Sequence, residues 1–140
     1  MLKEYIENGF GIKEDLNCAE QILHGANDVY KLGLDKESLR LAAGFGGGIG
    51  AEDACGVVTG ASMVFSRIFI KDRARESGLI KEINKEFNRR FVEALGTTNC
   101  KELKEIHCKE IKGCKPIIVA GAGIVDDILK ERGITEYKGQ

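Results

Sequence analysis

The sequence has no excess of charge of either sign: its 140 residues carry a formal net charge of -1, with acids and bases mixed along the chain. An electrostatic footprint for nucleic acid or an anionic membrane is therefore missing, and neither is expected as a partner. A long apolar run is missing too. The longest, from Ala54 to Ile70, is broken by Thr59, Ser62, Ser66 and Arg67, well short of the roughly 20 apolar residues that span a bilayer. At the N-terminus, charges at Lys3, Glu4 and Glu7 interrupt the apolar positions and no small-residue cleavage site follows. No secretory signal is read there, and the expected compartment is the cytoplasm. Internal repeats, low-complexity tracts and linkers are absent as well. The length suits one domain, 1–140, able to bury a core without covalent staples.

Hydrolytic chemistry is not legible, since no serine, aspartate or glutamate cluster offers a triad or a carboxylate pair. What the chain does have is cysteine: Cys18, Cys55, Cys100, Cys108 and Cys114. Five is many for a reducing compartment, where clustered thiols more often bind metal or do redox chemistry than form structural disulfides. No Cys-x-x-Cys pair occurs, so the spacing that usually marks zinc or thioredoxin-like sites is not available.

Helical periodicity runs through most of the chain, and the expected fold is a single all-α domain of five to six helices. A short helix over residues 1–12 is stopped by Asn8-Gly9 and Gly11. The second starts near Asp15 or Asn17 and runs to about Leu32, with Leu16, Ala19, Ile22, Leu23, Ala26, Val29 and Tyr30 on one face. Asp35-Lys36-Glu37-Ser38 opens a short third helix. Glu52 and Asp53 read as the start of an apolar helix that carries Cys55 in its first turn, reaches about Ile70, and sits at the centre of the fold. Leu79 to Leu95 forms another, closed by Gly96. Thr97-Thr98-Asn99 caps a charged helical segment from Cys100 into Lys101–Ile111, and Gly113-Cys114-Lys115-Pro116 announces a last helix to about Glu131. A buried strand at Ile117-Ile118-Val119 competes with that last helix, although no second β-patterned segment is present to pair with it.

Between the third and fourth helices lies Gly44-Phe45-Gly46-Gly47-Gly48-Ile49-Gly50, which is not expected to be helical. Gly46-x-Gly48-x-x-Ala51 matches the dinucleotide pattern in form but lacks the strand that must precede it, and no Gly-Lys-Ser/Thr follows for a phosphate loop. Gly56 and Gly60 are four apart on one helical face, a spacing that lets another backbone approach and leaves room for a homodimer.

Cys18, Cys55, Cys100 and Cys114 each fall at or just before a helix start. Unpaired N–H groups there lower a thiol's pKa and favour an anionic sulfur. Four converging helix starts could supply four sulfurs to zinc or to an iron–sulfur cluster. The alternative is that each cysteine packs as a small buried hydrophobe. His107 and Cys108 are adjacent and do not face each other on a helix, which reads as an exposed His beside a packed Cys; His24 reads as a boundary or surface residue.

Taken together, these residues resemble a family of redox-active proteins of about this length named for a C…CGAxxG…C…C pattern, the C_GCAxxG_C_C family. The central motif is Cys55-Gly56-Val57-Val58-Thr59-Gly60, with Val57 where the family has Ala. Asn17-Cys18-Ala19-Glu20, Thr98-Asn99-Cys100-Lys101-Glu102-Leu103, and Cys114 before Ile124-Val125-Asp126-Asp127-Ile128-Leu129 supply the other landmarks. The likeness spans about residues 17–129, and Cys108 is additional to it. It implies a helical domain with a four-cysteine redox centre, an iron–sulfur cluster of the [2Fe–2S] kind.

The expected ligands are Cys18, Cys55, Cys100 and Cys114, with Gly56 allowing backbone to approach the cluster and an unidentified redox partner exchanging single electrons. One alternative is a thiol–disulfide enzyme with Cys55 as low-pKa nucleophile, resolved by Cys100, Cys108 or Cys114. Another is a structural zinc site or a helical interaction module without a cofactor.

Overall fold

A computed structural model describes residues 1–108 and 114–139. Among these residues there are seven α-helices rather than five or six: α1 (Leu2–Glu7), α2 (Cys18–Tyr30), α3 (Lys36–Arg40), α4 (Gly56–Phe69), α5 (Leu79–Leu95), α6 (Cys100–His107) and α7 (Lys115–Glu131). No strand ladder is found among them, and one isolated antiparallel bridge joins Ala54 to Asn99. The end of the expected segment to Ile111, and Gly113, lie outside the described residues.

The competing strand at residues 117–119 is helix. Pro116 sits in the first turn of α7, where its missing N–H costs no hydrogen bond. None of the described helices is long and apolar enough to cross a membrane.

Helix α4 packs against α2, α5 and α7. Its Val57, Ala61, Val64 and Phe65 are fully buried, which is what an apolar stripe at helical spacing requires. Phe65 meets Phe87 of α5 edge-on, with ring centroids 5.8 Å apart. Gly121 lets α7 come so close that a Cβ there would overlap Val57 Cγ1. Gly60 serves α2 in the same way, since its Cβ would lie 2.9 Å from the Ala19 carbonyl oxygen and 3.1 Å from Ile22 Cβ. The face of Gly56 and Gly60 is thus covered by α2 of the same chain, and it carries no argument for a dimer.

The first helix is anchored across the chain to the last. Asp126 on α7 accepts from the Met1 amine at 3.2 Å and from the Leu2 and Lys3 N–H groups at 2.9 Å each, and it also accepts from the Tyr30 hydroxyl. One carboxylate thereby meets three of the donors that a helix start leaves unpaired.

Candidate functional site

Each of the four cysteines singled out by the sequence stands at a helix start, and local chemistry accounts for two of them. Asn17 caps α2 through a reciprocal pair: its Oδ1 accepts from the Glu20 N–H at 3.0 Å, and Glu20 Oε1 accepts from the Asn17 N–H at 3.1 Å. This makes Cys18 the first residue of α2. Asn99 caps α6 by accepting from the Glu102 N–H at 3.0 Å, which makes Cys100 the first residue of that helix. Such caps are worth about 1 kcal/mol each.

Cys55 is placed differently from the sequence expectation. Glu52 and Asp53 do not begin α4; the helix starts at Gly56 and Cys55 is the residue before it. The backbone around residue 54 is instead extended and paired with the chain ahead of α6. The Cys55 N–H donates to the Thr98 carbonyl at 2.9 Å, and the Cys100 N–H donates to the Asp53 carbonyl at 2.6 Å. Two helix starts, and two thiols, are thereby tied side by side by backbone hydrogen bonds.

The glycine-rich stretch frames this bridge. It forms a short 3-10 turn over Ala43–Phe45 and then a closed turn over Gly48–Glu52, in which the Asp53 N–H reaches the Gly48 carbonyl at 3.0 Å. Gly47, Gly48, Ile49 and Gly50 all have left-handed backbone, with φ of 63°, 63°, 62° and 69°. Glycine adopts this freely, whereas Ile49 does so at a cost of roughly 1–2 kcal/mol. At Gly48 the requirement is also spatial, because a Cβ would lie 2.7 Å from Cys100 Cβ. Asn17 ties the other end of the stretch to α2, donating from Nδ2 to the Ala43 carbonyl at 2.9 Å.

These elements enclose a pocket of about 230 Å³ lined by Cys18, Cys55, Cys100 and Cys114. Leu16, Leu103, Ile117 and Ile118 supply apolar walls, and the exposed Lys104 also lines the pocket. Cys18 Sγ lies against Gly56, where a Cβ would overlap it. Cys114 immediately precedes α7, and its Sγ is 3.3 Å from that of Cys108 at the end of α6. The pocket brings together the four expected cysteines; Cys108 is not among its lining residues. No group of three or more His, Cys, Asp or Glu among the described residues converges closely enough to hold a single metal ion.

The electrostatics run against the sequence expectation. Cys55 and Cys100 are only 5% and 6% exposed. Burial pushes the Cys55 thiol up to about 11, outweighing the Val57 and Val58 N–H groups that favour its thiolate. Burial raises Cys100 also, against the favourable charge of Lys104. Cys114 is pushed up to about 12, first by burial and then by its hydrogen bond with Cys108. Helix-start N–H groups do act on Cys55, but desolvation of the charged sulfur is the larger effect. Burial therefore works against Cys55 as the low-pKa nucleophile expected of a thiol–disulfide enzyme.

Two residues around the site were not singled out from the sequence. Lys104 is four residues after Cys100 on α6, a spacing that puts both on one helical face. Cys100 raises its ammonium pKa, and its Nζ lies 3.6 Å from Glu52. Thr98 contributes only a backbone carbonyl, for which no side-chain pattern exists. The histidines stay apart from the pocket. His107 Nε2 donates to the Leu95 carbonyl at 2.8 Å and is half-buried rather than exposed, and His24 Nε2 is buried with no hydrogen-bond partner.

A family model described as "Putative redox-active protein (C_GCAxxG_C_C)" matches residues 16–128. No curated protein and no solved structure matches the chain.

Proposed function

The chain belongs to the C_GCAxxG_C_C family, and from that premise we propose that it carries single electrons through an iron–sulfur cluster held by Cys18, Cys55, Cys100 and Cys114. The observation that carries this reading is that four thiols from four different helix starts line one pocket of about 230 Å³.

The donor set fits the group. Four soft sulfurs with no carboxylate among them suit iron–sulfur clusters or zinc rather than hard cations. In a [2Fe–2S] cluster the sulfurs are shared between two irons and need not meet at one point. Four sulfur donors satisfy the ligand number of either group, and the iron and zinc content of the purified protein decides between them. Three of the thiols are also costly to ionise where they are buried. A cationic centre removes that cost, because thiolate is the form that ligates.

When bound, such a cluster supplies one-electron chemistry. The protein's own groups set its surroundings. The Val57 and Val58 N–H groups stabilise negative charge on the Cys55 sulfur, and Lys104 does so beside Cys100. Leu103, Ile117 and Ile118 limit water at the sulfurs, which together with the hydrogen bonds sets a potential. Gly56, with no Cβ, leaves the space that Cys18 Sγ occupies.

Anaerobic purification with iron, acid-labile sulfide and zinc quantified together tests the proposal. About two irons and two sulfides per chain are expected, with the content lost on serine substitution of any of the four cysteines and kept in Cys108→Ser. An iron-free protein, or one with stoichiometric zinc, refutes it.

A further inference from the structure

Cys108 and Cys114 form a pair that the four-thiol pocket uses only by half. Cys108 follows the last turn of α6, Cys114 precedes the first turn of α7, and the Cys108 thiol donates to Cys114 Sγ at 3.3 Å. No other thiol–thiol hydrogen bond occurs among the described residues. Both thiols are half-buried, as is Cys18, whereas Cys55 and Cys100 are buried; Cys18 makes no hydrogen bond with another thiol among the described residues. The pair is therefore open to a small reagent where Cys55 and Cys100 are not, and it differs from Cys18 in that its two sulfurs are already neighbours. Cys114 lines the pocket and Cys108 does not. A sulfur bonded to Cys108 cannot also ligate, so the two uses of Cys114 exclude one another.

We infer that Cys108 and Cys114 are a redox-active dithiol that closes to a disulfide by exchange with a small-molecule disulfide, and that closure withdraws Cys114 from the ligand set of the pocket. The withdrawal rests on the four-cysteine reading above; the disulfide does not. In the exchange, one thiolate of the pair attacks a sulfur of the small disulfide, forming a mixed disulfide and releasing one small thiolate. The second thiolate of the pair attacks the bonded cysteine sulfur, forming the Cys108–Cys114 bond and releasing the other. The protein loses two electrons, and the reagent gains them as two thiols that carry the two protons. Closure is favoured over mixed disulfides at other sites because the second thiol is held in place, which gives it a high effective concentration. The ring it closes is short, so the entropic cost of closure is small.

Glutathione redox buffers provide the test. The protein, purified anaerobically and stripped of metal with a chelator, is equilibrated at increasing ratios of oxidised to reduced glutathione, alkylated and digested with trypsin. Lys109 and Lys112 separate the two cysteines, so their peptides stay joined only through a disulfide. The expected result is that linked pair alone, with Cys18, Cys55 and Cys100 alkylated. At the ratio that closes the pair, Cys108→Ser keeps its four thiols free, since a lone Cys114 lacks the neighbouring thiol. Linkage involving Cys18, Cys55 or Cys100, or no linkage at any ratio, overturns the inference and leaves the ligand assignment standing. The second arm supplies ferrous iron and sulfide to closed and reduced protein. Uptake is expected to be lost in the closed protein, restored by dithiothreitol, and retained by Cys108→Ser at the same ratio. Equal uptake by closed and reduced protein overturns the withdrawal and removes Cys114 from the ligand set.

Discussion

Gly56→Ala tests whether a sulfur really sits against the start of α4. An ideal Cβ at this position overlaps Cys18 Sγ and falls 3.1 Å from the Phe45 carbonyl oxygen and 3.2 Å from the Ala19 nitrogen. Two effects of opposite sign compete. Alanine is the better helix former by up to about 1 kcal/mol in a helix interior, and by less at a first helical residue. Forcing an extra methyl into a filled space costs roughly 1–3 kcal/mol. Two of the three contacts are backbone atoms of other elements, which cannot rotate away, so overpacking wins. A net loss of about 1–2 kcal/mol is expected.

Part of that loss belongs to the sulfur and is separable. In a Cys18→Ala background the overlapped atom is gone and only the two backbone contacts remain. Gly56→Ala should then cost about 1 kcal/mol less than in the wild-type chain, a coupling within the range of residues in direct contact. Gly60→Ala is the control, because its nearest neighbours are the Ala19 backbone and Ile22 Cβ, with no sulfur among them. Its cost should not depend on residue 18. Urea unfolding under reducing conditions reads these differences as midpoint shifts at constant m, with 1 kcal/mol corresponding to roughly 0.3–1 M for m of about 1–3 kcal/mol/M. If Gly56→Ala is stabilising, or costs the same with and without the Cys18 sulfur, that sulfur does not lie where the structure puts it.

Asp126→Ala removes the acceptor shared by the Met1 amine, the Leu2 and Lys3 N–H groups and the Tyr30 hydroxyl. A loss of about 2–4 kcal/mol is expected by urea unfolding, since a helix cap and a buried phenol lose their partner together; a loss below about 1 kcal/mol would mean α1 does not depend on this anchor. Alkaline pH should weaken the metal-free fold through the raised thiols of Cys55, Cys100 and Cys114 and, separably by substitution, through two phenols. Tyr5 is raised to about 12, chiefly by its hydrogen bond to Asp28, and Tyr30 is raised further, by burial and then by Asp126. The folded chain keeps protons that the unfolded chain releases above about pH 10. The phenols' contribution is therefore fully present below about pH 10 and declines as pH rises through 12. Urea midpoints measured from pH 9 to 12 should fall, and less steeply in Tyr30→Phe; a flat profile in the wild-type chain refutes the assignment.

What could be read from the sequence divides along a physical line. The start of α6 was legible because Asn99 and Glu102 place cap and partner within one turn, while that of α2 was narrowed to Asp15 or Asn17 and the Asn17–Glu20 pair decides it. The start of α4 was misread for the opposite reason. Glu52 and Asp53 have the local chemistry of a helix start, but backbone pairing with Asp53 and Cys55 reaches across to Cys100 and Thr98, a contact no local pattern records. Glycines announced the turn over residues 47–50, yet nothing marked Ile49 as left-handed, because there the closed turn imposes a conformation the side chain disfavours. The thiol pKa values were misjudged in the same way: helix-start N–H groups are local, whereas burial of Cys55 and Cys114 depends on which helices pack over them. The four-cysteine pocket is thus built at two ranges. Local caps set Cys18 and Cys100 on their own helices, and the bridge between residues 54 and 99 sets the α4 and α6 starts against each other. Substitutions that disturb that bridge or the Gly48 turn beneath Cys100 should disperse the thiols while leaving the caps intact, so helix content alone would not report the damage.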